Sequence, residues 1–278
     1  GESDKGDEPE VRQIEARLVV GADGADSDVR KLLGIGADVH DYGQVAIIAN
    51  VMPEVAHDGR AFERMTPTGP FALLPHVAGR CGLVWCVPEA DAPALLEMAE
   101  DEFLAAATVR SGGVLGQLGR LGRRSSYPLR RVMPETDTAQ RVVLLGNAAH
   151  AIHPVGAQGF NLGLRDVAVL GEVLANACLA AGERADPGQA AVLERYSEWR
   201  RPDQTSTVGW SHDMVNLFAS PSPLTRQARS LGLALVGMTP LMRRRMALRA
   251  MGYRGQTPRL ALGEPLLNPL FTDWATGT

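Results

Sequence analysis

The feature that most constrains this chain is a strand–glycine–helix unit that occurs twice, with a long stretch of β rhythm between the copies. Residues 16–21 (Ala-Arg-Leu-Val-Val-Gly) read as a short buried strand running into a turn-rich segment, Ala22 to Ser27. The spacing then predicts a helix over 27–34, with Ser27 or Asp26 as N-cap and Gly34 as its stop. From Arg141 the same order returns: an apolar strand over 142–145, a loop rich in Gly, Pro and His, and a helix over about 160–181.

Between about 43 and 90 the apolar residues fall in short runs, 44–51, 60–66, 70–74 and 80–87, separated by Pro and Gly. Asp58-Gly59 is a hairpin-type dipeptide, so 50–66 is predicted to be an antiparallel pair. Leu95, Leu96, Met98 and Phe103 have helical spacing over 92–107; a Gly-rich connector (112–122) leads to a strand around 123–130. Further helices are predicted over 188–219, interrupted near Pro202, and over 222–252, broken at Gly237 and Pro240. Residues 1–13 are charged without period, and the tail beyond 255 is rich in Pro and Gly.

A chain that leaves one sheet and returns to it predicts a nucleotide-type α/β domain with a second sheet inserted, an α+β arrangement overall. The expected division is 1–40 and 131–220 for the two parts of that domain, 41–130 for the inserted sheet and 221–278 for a C-terminal helical region.

Composition narrows the function classes. A net charge of −4 argues against a nucleic-acid binder, which would carry a basic face. Three cysteines (Cys81, Cys86, Cys178) form no metal spacing and are an odd count, as expected of reduced thiols in a cytoplasmic protein. His150 and His153 lie close together, but no Cys, Asp or Glu at ligand spacing joins them, so no metal is expected. No apolar run reaches the roughly 18 residues of a membrane span, and the polar, acidic N-terminus is unlike a signal peptide. The chain begins with Gly rather than Met, which points to a fragment or trimmed form.

The chemistry-bearing residues sit in the second unit. A buried strand ending in Gly146, followed by Asn147-Ala148-Ala149-His150, lets a ligand approach the backbone closely. The segment from Pro154 through Gly156, Ala157, Gln158, Gly159, Phe160 and Asn161 opens a helix whose first turn has free N–H groups and a positive dipole end. That suits an electron-rich or developing anionic group. A tight structural turn is the other reading of the same residues. His57, Arg60 and His76 are polar candidates on the inserted sheet, each read more readily as surface or structural, and no catalytic residue is assigned.

The segment from Gly146 to Asp166 resembles the Gly-Asp-Ala-Ala-His…Pro…Gly…Asn…Gly…Asp signature of the flavoprotein aromatic hydroxylases of the para-hydroxybenzoate hydroxylase type. Residues 20–30, with Asp23, Gly24 and Arg30, resemble that family's Asp-Gly fingerprint. Gly59, Phe62, Arg64, Gly69-Pro70, Leu73-Leu74-Pro75 and Val84-Trp85-Cys86 are similar to the ubiquinone-biosynthesis branch. The resemblance runs from about Ala16 to about Gly252.

It implies FAD as cofactor, NAD(P)H as reductant, O₂ captured as a flavin C4a-hydroperoxide, and hydroxylation of a polyprenylated phenol. By the same resemblance Asn147, where the family usually has Asp, would hydrogen-bond the ribitol, and Pro154 would pack near the isoalloxazine. The Gly156–Asn161 backbone would cradle the pyrimidine edge, with Ala157 standing where Gly is common. Asp23, Gly24 and Arg30 would lie near the pyrophosphate and the nicotinamide approach.

A complete site of this type also needs Gly-x-Gly-x-x-Gly with an acidic residue about 20 positions on, and no such match is present. The expectation is therefore a truncated form that alone holds FAD poorly. Arg243-Arg244-Arg245 and Arg249, set among Leu and Met, fit either a helix resting on a membrane surface or a packed helix with a solvated basic face. Other ubiquinone-biosynthesis proteins are possible partners by the same resemblance. A hydroxylase of a small phenol and a non-catalytic scaffold in a biosynthetic complex remain alternatives.

Overall fold

The computed structural model describes residues 13–220, 222–253 and 255–266, so most of the charged N-terminal stretch and the end of the tail lie outside the described residues. Nine strands form two sheets among them.

The first sheet has the order β1-β9-β8, with β1 at Val19–Gly21, β8 at Thr138–Ala139 and β9 at Val142–Leu144. Strands β1 and β9 are parallel, with Val19 opposite Val142 and Gly21 opposite Leu144, so both end at the same level. All three β9 residues are buried, as a parallel strand covered on both faces requires. On one face its cover is the helix pair α4 (Gln158–Ala181) and α5 (Ala190–Ala219), where Val143, Leu145, Val169, Leu170, Val173, Leu193 and Tyr196 form one core; on the other, Leu144 packs with Ala148, Ala149, Val29 and Ile35. Each such side chain contributes about 1.5–3 kcal/mol by leaving water. On β1, Val19 and Val20 keep more than two-fifths of their surface exposed.

The second sheet has the order β3-β4-β5-β2, with β7 and β6 pairing the far side of β2. Its members are β2 (Ala37–Pro53), β3 (Phe62–Thr66), β4 (Gly69–Pro75), β5 (Cys81–Pro88), β6 (Leu118–Gly119) and β7 (Ser125–Pro134). A bulge between Asp41 and Val45 breaks the β2–β7 ladder, and there the Gly43 N–H donates to Asp41 Oδ1 at 2.8 Å. Side chains alternate between two faces. Val45, Ile47, Phe71, Leu73, Leu83 and Trp85 pack on Phe103, Leu104 and Ala107 of helix α3 (Glu100–Ser111). Glu63, Ala72, Val84 and Cys86 occupy the opposite face.

The sequence reading departs from this structure in several places. Asp58 and Gly59 do make a turn, with φ of +49° and +73°, but β3 pairs with β4 and not with β2. A turn dipeptide fixes local chain reversal, whereas pairing is decided by which apolar faces meet, and β2 is taken by β5 and β7. The helix predicted over 92–107 is two, α2 (Ala92–Glu97) and α3, because Met98 and Ala99 are extended. Glu100, Asp101 and Glu102 then open α3, where its dipole favours negative charge. Helix α5 runs through Pro202 unbroken: buried Leu193, Tyr196 and Arg200 before it, and Gln204, Thr207 and Val208 after it, hold both halves in place. Gly237 lies inside α6 (Pro223–Met238), and the break falls at Thr239, before Pro240 opens α7 (Pro240–Ala250).

Candidate cofactor site

Because β1 and β9 are adjacent, parallel and in register, the loops leaving their C-terminal ends lie side by side. This is where open α/β sheets bind ligands. Arg30, on helix α1 (Asp28–Leu32), ties the loops together: Nη1 donates to Ala148 O at 3.0 Å and Nη2 to Ala25 O at 2.7 Å. Arg30 is buried, so the two sequence motifs meet through it. Asp23 is exposed and accepts the Val29 N–H at 3.0 Å. A hydrogen bond from Ser27 and then the Val29 amide hold its carboxyl below the ordinary carboxylate value. Gly24 has φ +91° and closes the turn, its carbonyl accepting from Ser27 N at 3.1 Å.

The second loop is anchored from behind by Asp166, fully buried on α4. One of its oxygens accepts from Gly146 N at 2.9 Å and faces His150 Nε2 at 2.5 Å. The other accepts from Arg200 Nε at 2.8 Å and Gln204 Nε2 at 3.2 Å, both on α5. Burial would raise the Asp166 carboxyl, but His150 and Arg200 outweigh it and hold it below its ordinary value. Gly146 adopts φ +54°, and a Cβ there would meet no atom within 4 Å, so the side of the loop away from Asp166 is open. Gly163 of α4 comes close behind it: a Cβ on Gly163 would stand 3.4 Å from Gly146 Cα.

The start of α4 completes the arrangement. Pro154 is half-buried, Gly156 has φ +71° and Ala157 has φ +50°. Ala157 is the N-cap and has no side-chain acceptor, so no cap hydrogen bond serves the first turn of this 24-residue helix. Gln158 is turned inward, its Nε2 donating to Gly156 O at 3.0 Å and Ala250 O at 3.1 Å. Asn161 Nδ2 donates to Ala157 O at 3.4 Å. Asn147 and Asn161 are exposed, and Phe160 keeps 78% of its surface exposed. An uncapped helix start beside an open glycine and an uncovered aromatic fits a flat ligand with a carbonyl or anionic edge.

Next to this loop the face of the inserted sheet turned away from α3 borders a partly open, mostly apolar cavity of about 90 Å³, lined by Glu63, Pro70, Ala72, Leu74, Val84, Cys86, Pro154 and Ala157. Both Glu63 carboxylate oxygens lie 3.2 Å from the Gly156 N–H, which donates to them. Glu63 is exposed by surface area, yet the crowding of its carboxyl by the cavity walls pushes it up, with the Gly156 amide opposing. Burial and the Glu63 charge push the Cys86 thiol up to about 12.

His153, which precedes Pro154, is fully buried and burial pushes it down to about 4. The neutral ring is fully used: Nε2–H donates to Gln44 Oε1 at 3.0 Å, while Nδ1 accepts from Val155 N at 3.3 Å.

The structure thus gathers Asp23, Gly24 and Arg30 with Gly146 and Asn147, and sets the 154–161 segment at the mouth of a cavity. His57, Arg60 and His76 do not line that cavity, and His57 Nδ1 accepts from Gly59 N within the turn. Asp166, Arg200 and Glu63 were not assigned from sequence. Strand alternation with Ala72 and Pro70 could have pointed to Glu63; nothing local marks Arg200.

A family model described as an FAD binding domain matches residues 3–211. The chain belongs to that family. Among curated relatives, a ubiquinone hydroxylase of Rhodospirillum rubrum is 41% identical over 258 residues, covering 91% of this chain and 59% of that protein. The 3-demethoxyubiquinol 3-hydroxylase of Escherichia coli is 33% identical, covering 86% of this chain and 60% of that protein. The chain thus spans about three-fifths of the length of these relatives. Among solved structures, OxyS anhydrotetracycline hydroxylase from Streptomyces rimosus superposes with a TM-score of 0.60 at 25% identity, over 87% of this chain and 47% of that one. The p-nitrophenol 4-monooxygenase of Pseudomonas putida superposes with a TM-score of 0.66 at 21% identity, over 83% of this chain and 57% of that one, a likeness of fold. The FAD-binding fold of the para-hydroxybenzoate hydroxylase type, with its inserted sheet, is the one expected from the sequence.

Proposed function

We propose that this chain carries the flavin-facing and substrate-facing part of an FAD-dependent monooxygenase that hydroxylates the ring of a polyprenylated phenol in ubiquinone biosynthesis. The observation that carries the reading is the placement of the apolar Glu63–Cys86 cavity directly against Pro154 and Ala157, at the uncapped start of α4. The relatives' names supply the substrate class. Bound FAD would take electrons from NAD(P)H and pass one oxygen atom of O₂ to the ring.

The chain's own residues bind, orient and exclude water. The α4 first-turn amides would hold the pyrimidine edge, and Asn147 a ribitol hydroxyl. Asp23, Gly24 and Arg30 would shape the pyrophosphate side. Pro154 and the cavity walls would keep water from the reacting carbon. Asp166, through Gly146 and His150, fixes the loop on which these contacts depend.

A prenyl tail would leave toward the surface. Helix α7 exposes Leu241, Met242 and Met246 together with Arg243, Arg244 and Arg245, which supports contact with an anionic lipid surface. No helix among the described residues is long and apolar enough to cross a membrane.

The test supplies the protein with FAD, NAD(P)H, ¹⁸O₂ and a polyprenylphenol. Label in the ring product supports the reading; reductant consumption yielding only hydrogen peroxide contradicts it.

A further inference from the structure

We propose that the Glu63 carboxylate accepts the phenolic O–H of the substrate in the cavity beside Pro154, and so selects a phenol over a phenyl ether. The inference rests on the reading of that cavity as the substrate site. Glu63 of β3 stands opposite Ala72 of β4, and Ala72 opposite Val84 of β5, so the three share one face in adjacent positions. Pro70, Leu74 and Cys86 lie on the same face by alternation and complete the wall. In that lining Glu63 is the single carboxylate. Pro and aliphatic walls accept an aromatic ring, and the ring's hydroxyl then needs a partner, because a hydroxyl buried without one costs several kcal/mol.

Glu63 has the capacity. An ionised carboxylate has about four acceptor positions, and the Gly156 N–H, shared between the two oxygens, uses only part of them. That amide, one residue before the α4 N-cap, donates to the carboxylate and offsets some of its negative charge, so a neutral donor completes the site without a cation. An O–H donated to a carboxylate enriches the ring carbons ortho and para to the oxygen, the positions at which an electrophilic oxygen attacks.

The test is calorimetric titration of the FAD-supplemented chain with 4-methylphenol and 4-methylanisole, which differ only in whether the ring oxygen can donate. The wild-type chain is expected to bind the phenol at least about tenfold more tightly. In Glu63→Leu that preference falls to near one while anisole affinity is unchanged, and Glu63→Gln, which keeps an acceptor oxygen, retains part of it. Ala72→Phe, or Ala72→Leu if the larger side chain disturbs folding, fills the cavity and weakens both ligands. A phenol preference that survives Glu63→Leu, with Ala72→Phe still blocking both, overturns the role of Glu63 and leaves the cavity reading standing. Both ligands binding unchanged to the filled-cavity variant, or neither binding the wild type, overturns the cavity reading itself.

Discussion

Replacing Asp166 with Asn isolates the contribution of one carboxylate to the site. The two side chains are nearly the same size, so packing is kept while a charge and one acceptor are lost. In the native structure four donors converge on Asp166: Gly146 N, His150 Nε2, Arg200 Nε and Gln204 Nε2. Asn offers a single oxygen, so whichever way its amide turns, an NH₂ faces either the Gly146–His150 pair or the Arg200–Gln204 pair. Arg200, 3% exposed, is then left with Asp203, whose Oδ2 lies 2.8 Å from Nη1. Removing one partner of a buried ion pair costs about 3–5 kcal/mol; the surviving oxygen and Asp203 place the expected loss near the lower end, about 3 kcal/mol. With typical urea m-values of up to about 3 kcal/mol/M, the midpoint should fall by about 1 M or more. The assay is urea unfolding followed by tryptophan fluorescence. A second arm, a double-mutant cycle with Arg200→Met, should return a coupling of at least about 1 kcal/mol. A midpoint within about 0.3 M of wild type, or a coupling near zero, refutes the claim that Asp166 holds the loop through its ion pair.

Three further predictions follow from the same geometry. Gly146→Ala should change stability by about 1 kcal/mol, the strain of a left-handed backbone, because its Cβ meets nothing; Gly156→Ala should cost more, since its Cβ would stand 2.9 Å from the Trp210 ring. Urea midpoints of the two variants check the order. His153 is neutral in the fold, with its value lowered from 6.5 to about 4, so the unfolded chain binds the extra proton first as pH falls. Stability from His153 is full above pH 6.5 and is lost as pH drops toward 4, by about 3 kcal/mol at about 1.4 kcal/mol per unit; the difference between wild type and His153→Gln across that window should show it. Arg30→Met removes donors to Ala148 O and Ala25 O, and should cost about 2–3 kcal/mol and weaken FAD binding in a calorimetric titration.

The parts legible in the sequence are those in which a short segment determines its own geometry. Strand β9 is apolar because both its faces are covered, Gly146 and Gly156 need positive φ, and α4 follows immediately; all of this lies within one local stretch. Contacts made across long separations were not legible. Arg200 reaches Asp166 from 34 positions away, and Arg30 reaches Ala148 from 118. Residues 50–66 misled for the same reason: Asp58-Gly59 reverses the chain, but it cannot say that β5 and β7 already fill both sides of β2. Pro202 breaks a helix by local propensity, but the buried side chains on either side of it keep α5 continuous, and their burial is set by the rest of the fold.

The most direct test of the account follows backbone amide shifts in the ¹⁵N-labelled chain as FAD is added, a measurement that reads location even when binding is weak. The account predicts saturable shifts concentrated on 22–26, 146–148 and 156–161, lost when Gly146 is replaced by Val. Shifts confined to other segments, or an unchanged response in the Gly146→Val variant, would contradict the assignment of these two loops as the flavin site.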